Sequence, residues 1–226
     1  APTFTQPPTS TGAPSITPAP TITDTPAATS TAPADDPANS LGSPDFTDNF
    51  SNDNNWSTYD SEGSKAEIKD GRFVFTKKTI QYGSHWSVSW PKLTDFYLHV
   101  TGQMPAACSG LDRLGIIFRA PEPSRGFLYT ISCDGRYRLA VWDGSETRII
   151  VDWTSSSHIN SGANAVNRLG VLVEGKQTTL YVNGKMLTSV TDDQYVGSNR
   201  YGLLVGAAEH EPFTVYFDDL SYWENP

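Results

Sequence analysis

The sequence predicts an all-β domain, a two-sheet antiparallel sandwich, behind a disordered linker. Three observations carry that prediction. The composition changes abruptly near Leu41. Beyond it, short runs of alternating apolar and polar residues recur at intervals of about ten, separated by Gly, Asn, Asp and Pro. No segment sustains a 3.6-residue apolar period, so helices should be absent or limited to single turns.

Residues 1–40 are almost entirely Pro, Thr, Ala and Ser, with one Phe, three Asp and neither Lys nor Arg. Such a stretch buries too little apolar surface to offset its ordering entropy and should remain extended and disordered. Its Thr/Ser content with recurring Pro fits an O-glycosylated stalk or a plain spacer. Either way it is a tether. Residues 41–226 suffice for one well-buried β domain. The net charge of −9, with Lys and Arg scattered singly, argues against nucleic acid, which requires a clustered basic face. No apolar run approaches the roughly 20 residues of a membrane helix, so no membrane insertion of this segment is expected. The chain opens directly in the spacer with no signal-peptide pattern, as a mature or truncated exported chain is expected to.

The strand-like runs are "KAEIKD", "GRFVFTKK", "HWSVSW", "DFYLHVTGQ", "LGIIFRA", "FLYTISC", "RYRLAVWDG", "TRIIVDW", "NRLGVLVEG", "TTLYVNGKML", "RYGLLVGAAE" and "FTVYFDDLSYW". Asp70-Gly71, Asp134-Gly135 and Asn183-Gly184 mark hairpin turns. About twelve short antiparallel strands in one domain require two packed sheets. A hairpin joining Leu114–Ala120 to Phe127–Cys133 places Cys133 opposite Arg113 or Leu114. That is close to Cys108 if "SGLD" curls back, so a Cys108–Cys133 disulfide is expected over two buried thiols.

The runs "GIIFRA…FLYTISCDGRYRLAVWDG", "VDWTSSSHINSGANAVNRLGVLVEGKQTTLYVNGKML" and "YGLLVGAAE…VYFDDLSYW" resemble the laminin-G-like branch of the concanavalin A-like lectin/glucanase superfamily. More narrowly, the chain is similar to bacterial secreted or surface modules that include levan-type carbohydrate-binding modules and a domain linked to 3-keto-disaccharide hydrolysis. The resemblance spans Phe46 to Trp223. It implies a jelly roll whose concave sheet or loop rim binds polysaccharide, oligosaccharide or protein, on an extracellular or cell-surface chain. Fold alone does not settle function.

Alternation along each strand selects the candidate residues. In "LGIIFRA", Leu114, Ile116 and Phe118 share one face and Gly115, Ile117 and Arg119 the other. In "RYRLAVW", Arg138, Ala140 and Trp142 oppose Tyr137, Leu139 and Val141. In "DFYLHV", Tyr97 and His99 oppose Phe96, Leu98 and Val100. Arg119, Trp142, Tyr97, His99 and Arg138 are therefore expected on one open face, where aromatic planes stack on sugar rings and guanidinium groups bind hydroxyls. The resemblance also implies a concave-face position for Arg119; a cross-sheet ion pair is the alternative. Trp56, Trp153 and Trp223 are expected in core or edge packing. Trp86 and Trp90 form either a second aromatic platform or part of the core, with core the simpler reading.

Catalytic members of the resembled superfamily carry Glu-x-Asp-x-x-Glu on one strand, and no such run occurs. Glu209 and Glu211 in "AEHEP" share a spacing but fall where a loop is expected. No metal-spaced His, nucleophile elbow or phosphate loop is present. A noncatalytic module is expected. Asp45, Asp48, Asp53, Asp218 and Asp219 lie near the first and last strands, which neighbour one another in jelly rolls. Asp45, Asp48, Asp218 and Asp219 are candidate ligands for a structural calcium ion, against an Asx-rich turn in "NDNN". Three function classes remain: carbohydrate-binding module, protein-interaction or adhesion module, and, least favoured, a glycoside-active enzyme.

Overall fold

The computed structural model describes residues 35–226 except 82 and 198. The linker expectation for residues 1–34 lies outside the described residues. A single 3-10 turn, Pro37–Asn39, precedes the strands. In chain order these begin with β1 (Phe46–Asp48), β2 (Tyr59–Asp60), β3 (Ser64–Lys69), β4 (Arg72–Lys77) and β5 (Ser84–Leu93). Next come β6 (Phe96–Gln103), β7 (Arg113–Ala120), β8 (Gly126–Ser132), β9 (Arg136–Trp142) and β10 (Thr147–Ser155). The chain ends with β11 (Val166–Glu174), β12 (Gln177–Val182), β13 (Lys185–Thr191), β14 (Asn199–Gly206) and β15 (Phe213–Glu224).

Two antiparallel sheets result. One runs β13-β12-β11-β6-β15-β4-β3-β2, with β1 also paired to β15, and the other runs β10-β9-β8-β7-β14-β5. The sandwich core lies between them, because alternation sends every second side chain inward. Phe96, Leu98 and Val100 of β6 and Leu169, Val171 and Val173 of β11 meet Leu114, Ile116 and Phe118 of β7 and Leu139 and Val141 of β9. Each such side chain contributes roughly 1.5–3 kcal/mol on full burial. Asp70-Gly71 joins β3 to β4 and Asn183-Gly184 joins β12 to β13, as their turn chemistry predicts.

Cys108 and Cys133 are bonded, with Cα atoms 5.9 Å apart. Arg113 pairs with Ser132, which puts Cys133 beside Asp112, one residue from the expected register. The Cys133 amide donates to Asp112 O at 2.8 Å.

Among the described residues the packing reaches back to Asp35, six residues before the composition boundary at Leu41. Residues 35–42 form a strap across the outer face of the nine-stranded sheet. Asp36 is buried; its Oδ1 accepts from Tyr97 Oη at 2.8 Å, and its Oδ2 accepts from Arg168. Trp223 Nε1 donates to Gly42 O at 3.0 Å, and Ala38 and Leu41 pack on Tyr97, Leu172, Tyr181 and Trp223. This sheet face carries too many large apolar side chains to stand in water, and the strap covers them. Composition pointed the other way because its Pro and Ala residues match those of the tract before it.

Arg119 does not stand on an open face. Between Ile117 and Ala120, β7 carries one more residue than β14 does between Gly202 and Arg200, so the strand bulges. Arg119 sits in the bulge at φ 45° and is 2% exposed. Its guanidinium lies over the Phe127 ring, 5.4 Å from the centroid, and donates to Asp192 O at 2.9 Å and to Gly175 O. Those carbonyls belong to the turn after β11 and the segment after β13, so Arg119 ties the two sheets together. Arg119→Ala strands two carbonyls, each worth about 1–3 kcal/mol when left without a donor. The expected loss of about 2–4 kcal/mol in urea denaturation distinguishes this role from a solvent-facing one, which would leave stability within about 0.5 kcal/mol.

Candidate functional site

The outer face of the six-stranded sheet holds a cleft of about 610 Å³. Its layout follows from strand register. Trp86 of β5 pairs with Leu204 of β14, Leu204 with Gly115 of β7, Gly115 with Thr130 of β8, and Thr130 with Arg138 of β9. All five are outward positions, because their neighbours Leu203, Val205, Leu114, Ile116, Tyr129, Ile131, Tyr137 and Leu139 fill the core. On β10 the row ends at Trp153, whose ring lies 5.8 Å from Arg138 Cζ. Five inter-strand steps separate Trp86 from Trp153, roughly 24 Å along the sheet. A Cβ at Gly115 would come within 2.1 Å of Tyr129 O, so only glycine fits there.

A second tier borders this row. Arg113 of β7 lies over Gly206, where an added Cβ would meet its Cζ at 2.6 Å. Its Nε donates to Ser84 Oγ at 3.0 Å and one terminal nitrogen to Leu111 O at 3.1 Å. Burial pulls its pKa down, and the nearby Arg138 charge pulls it further the same way. On the opposite side Ala140 deepens the floor and Trp142 rises beside Thr147, its register partner on β10. Trp86 Nε1 donates to Pro123 O at 2.7 Å, which fixes the indole. Three half-buried indoles and two guanidinium groups thus surround a floor of Leu128, Thr130 and Ala140. Aromatic faces that stack and rigid donors that orient are what a sugar-binding cleft requires.

Of the sequence-predicted residues, Arg138 and Trp142 line this cleft. Tyr97 and His99 do not. They lie on β6, in the other sheet, and so occupy the opposite outer face of the sandwich. Alternation separated them correctly from the core but could not say to which sheet β6 belongs. Tyr97 is 1% exposed beneath the strap, and burial together with the Asp36 carboxylate raises its pKa. The cleft gains Arg113, Trp86 and Trp153 instead. Arg113 had a readable signal, since it shares parity with Gly115. Trp153 did not, because β10 shifts register between Val151 and Thr154.

The four candidate calcium ligands do not converge, and no group of three or more His, Cys, Asp or Glu poised for a metal occurs among the described residues. Asp48 accepts from the Phe50 amide at 2.8 Å, Trp56 Nε1 at 3.0 Å and Asn55 Nδ2 at 3.2 Å. Asp45 accepts from the Glu224 amide at 2.8 Å and Asp218 from the Asp219 amide at 2.9 Å. N–H groups take the places that a cation would fill. Glu209 and Glu211 fall in the loop between β14 and β15, where Glu211 accepts from the Ile80 amide at 2.7 Å.

No family model matches the chain, and no curated protein matches it. Solved structures do. The carbohydrate-binding module CBM66 from Bacillus subtilis superposes with a TM-score of 0.59 at 14% identity, covering 76% of this chain and 98% of its own. A Bacillus licheniformis beta-glucanase gives 0.60 at 12% identity, covering 80% and 98%. A Bacillus subtilis protein of unknown function with a galectin-like fold gives 0.59 at 11% identity, covering 81% and 97%. At these identities the likeness establishes the fold alone, a two-sheet jelly-roll sandwich. No helix among the described residues is long and apolar enough to cross a membrane.

On the strapped face, His99 packs between Tyr97 and Trp223, with ring centroids 5.9 and 5.4 Å away. Burial first, and then the Arg168 charge, push its pKa from 6.5 down to about 4, while Asp36 and Asp219 pull it back weakly. The fold thus holds His99 neutral where the unfolded chain protonates it. Its stabilising contribution is complete above about pH 6.5 and erodes as pH falls toward about 4. Urea denaturation at pH 7 and pH 4.5 should therefore show His99→Gln losing about 2 kcal/mol less than the native chain. Equal losses would place the acid sensitivity elsewhere.

Proposed function

We propose that the domain is a noncatalytic carbohydrate-binding module of an exported or cell-surface protein, which lays a glycan across the outer face of its six-stranded sheet. The observation that carries this reading is the transverse row itself: indoles at both ends, a guanidinium beside one of them, and a floor of Leu128, Thr130 and Ala140 between. A polysaccharide chain presents apolar ring faces and hydroxyl edges in alternation, and that row offers a partner for each. The fold it shares with a carbohydrate-binding module from Bacillus subtilis supports the reading, as does the laminin-G-like sequence resemblance. The Cys108–Cys133 bond supports an oxidising, extracellular location.

The noncatalytic part rests on the cleft's chemistry. Glycoside hydrolysis uses two carboxyl groups about 5–5.5 or 6.5–9.5 Å apart. Among the described residues, the cleft lining contains neither Asp nor Glu.

Binding titrations against a panel of plant and microbial polysaccharides test the proposal. Trp153→Ala and Trp86→Ala should each weaken the bound glycan by tenfold or more, about 1.4 kcal/mol. Because both indoles are half-exposed, the melting temperature should move little. Tight binding that survives both substitutions would move the site off this face, and binding to none of the panel would end the glycan reading.

A further inference from the structure

Resting on that reading, we infer that the glycan is anionic and that Arg113 and Arg138 together hold its charged group, a carboxylate or a sulfate. The first observation is a charge reversal. The protein carries a net charge of −9, yet the only charged side chains lining the cleft among the described residues are these two arginines. An acidic protein that concentrates positive charge in an indole-walled depression has built a local attraction against its own overall field.

The second observation is that neither cleft arginine has a carboxylate counter-ion among the described residues, whereas four arginines elsewhere do. Arg72, Arg119 and Arg200 also stand outside the ion pairs, held instead by Gln103, by two backbone carbonyls and by the Trp90 ring. Arg125 is paired with Glu122, Arg136 with Asp134, Arg148 with Asp192 and Arg168 with Asp36. Neither Arg113 nor Arg138 has a carboxylate partner among the described residues. Asp112 adjoins Arg113 in sequence, but its carboxylate is fully buried and already satisfied. Its two oxygens accept from the Ser109, Ala208, Glu209 and His210 amides and from His210 Nδ1 at 2.6 Å.

The third observation concerns donors. Arg138 Nε is buried with no hydrogen-bond partner, while the rest of its guanidinium leans over Trp153. A buried N–H without an acceptor is costly, and an entering oxygen removes that cost. Arg113 is held rigid by Ser84 Oγ, Leu111 O and the flat seat on Gly206, so it meets a ligand with little further ordering. The two like charges also repel each other, which is visible in the direction Arg138 moves the pKa of Arg113. A carboxylate or sulfate between them turns that repulsion into two charge-assisted contacts. A neutral sugar hydroxyl leaves it standing.

The test compares charged and neutral forms of one backbone: polygalacturonate with its methyl ester, and dextran sulfate with dextran. The native chain should bind at least one charged form tenfold or more tighter than its neutral partner, and the preference should shrink between 50 and 500 mM NaCl, as expected for charge pairing. Which pair shows it separates carboxylate from sulfate. Arg138→Met and Arg113→Gln, each checked for an unchanged melting temperature, should abolish the preference and leave the weak neutral binding intact. Arg148→Gln, outside the cleft, should keep it. If Arg113→Gln fails to fold, Arg138→Met alone decides. Equal binding of charged and neutral forms, or a preference that survives Arg138→Met, overturns this inference and leaves the glycan reading standing. Binding to neither member of either pair, together with failure across the polysaccharide panel, overturns both.

Discussion

The register of the six-stranded sheet is the constraint on which the cleft depends. Four successive pairings, from Trp86 through Leu204, Gly115 and Thr130 to Arg138, bring into one line residues that lie up to 118 positions apart in sequence (204 minus 86). A slip of one residue at any pairing would turn every side chain of that strand to the other face. The register is held from inside. Leu114, Ile116, Tyr129, Ile131, Leu139, Leu203 and Val205 are all buried, and a slip would put them in water. At an order of roughly 2 kcal/mol for each side chain, the core alone forbids the alternatives. Site geometry is therefore a by-product of core packing.

The sandwich has two outer faces, and the strap makes them different. On the nine-stranded sheet, Tyr97, Tyr181 and Trp223 form an aromatic patch large enough to invite association. Ala38 and Leu41 cover it, and Asp36 gives the Tyr97 hydroxyl and the Arg168 guanidinium their partner. On the six-stranded sheet, the comparable aromatic residues stay open around a floor of leucine, threonine and alanine. Arg119 connects these two halves through the carbonyls of Gly175 and Asp192, so the open face rests on a sheet fixed to its neighbour.

Alternation made much of the fold legible. It separated core from surface on β6, β7 and β9, placed the turn at Asn183-Gly184, and set Arg138 and Trp142 on the outward side of β9. It failed at Arg119, because a bulge breaks the period of two and alternation assumes that period. It failed differently at Tyr97 and His99: their parity was read correctly, but the sheet to which β6 belongs is decided by pairing with β11 and β15, which lie far along the chain. Asp45 and Asp48 read as cation ligands by composition, yet N–H groups occupy them: nearby ones at Asp48 and the Glu224 amide of the last strand at Asp45. The strap was lost in a Pro/Ala-rich background, because what marks it is the buried Asp36, and burial is not written in composition.

The central claim is that the three indoles on one face meet the ligand while the others do not. Six tryptophans give six Nε1–H signals in a nitrogen–proton correlation spectrum. Trp56 donates to Asp48 and Trp223 to Gly42, so both should hold still during a titration with a bound oligosaccharide. Trp90 stands apart on the exposed edge strand under Arg200 and serves as a surface control. The account predicts that Trp86, Trp142 and Trp153 shift together, with one dissociation constant, while Trp56, Trp90 and Trp223 do not move. Shifts confined to Trp223, or spread equally over all six, would contradict it.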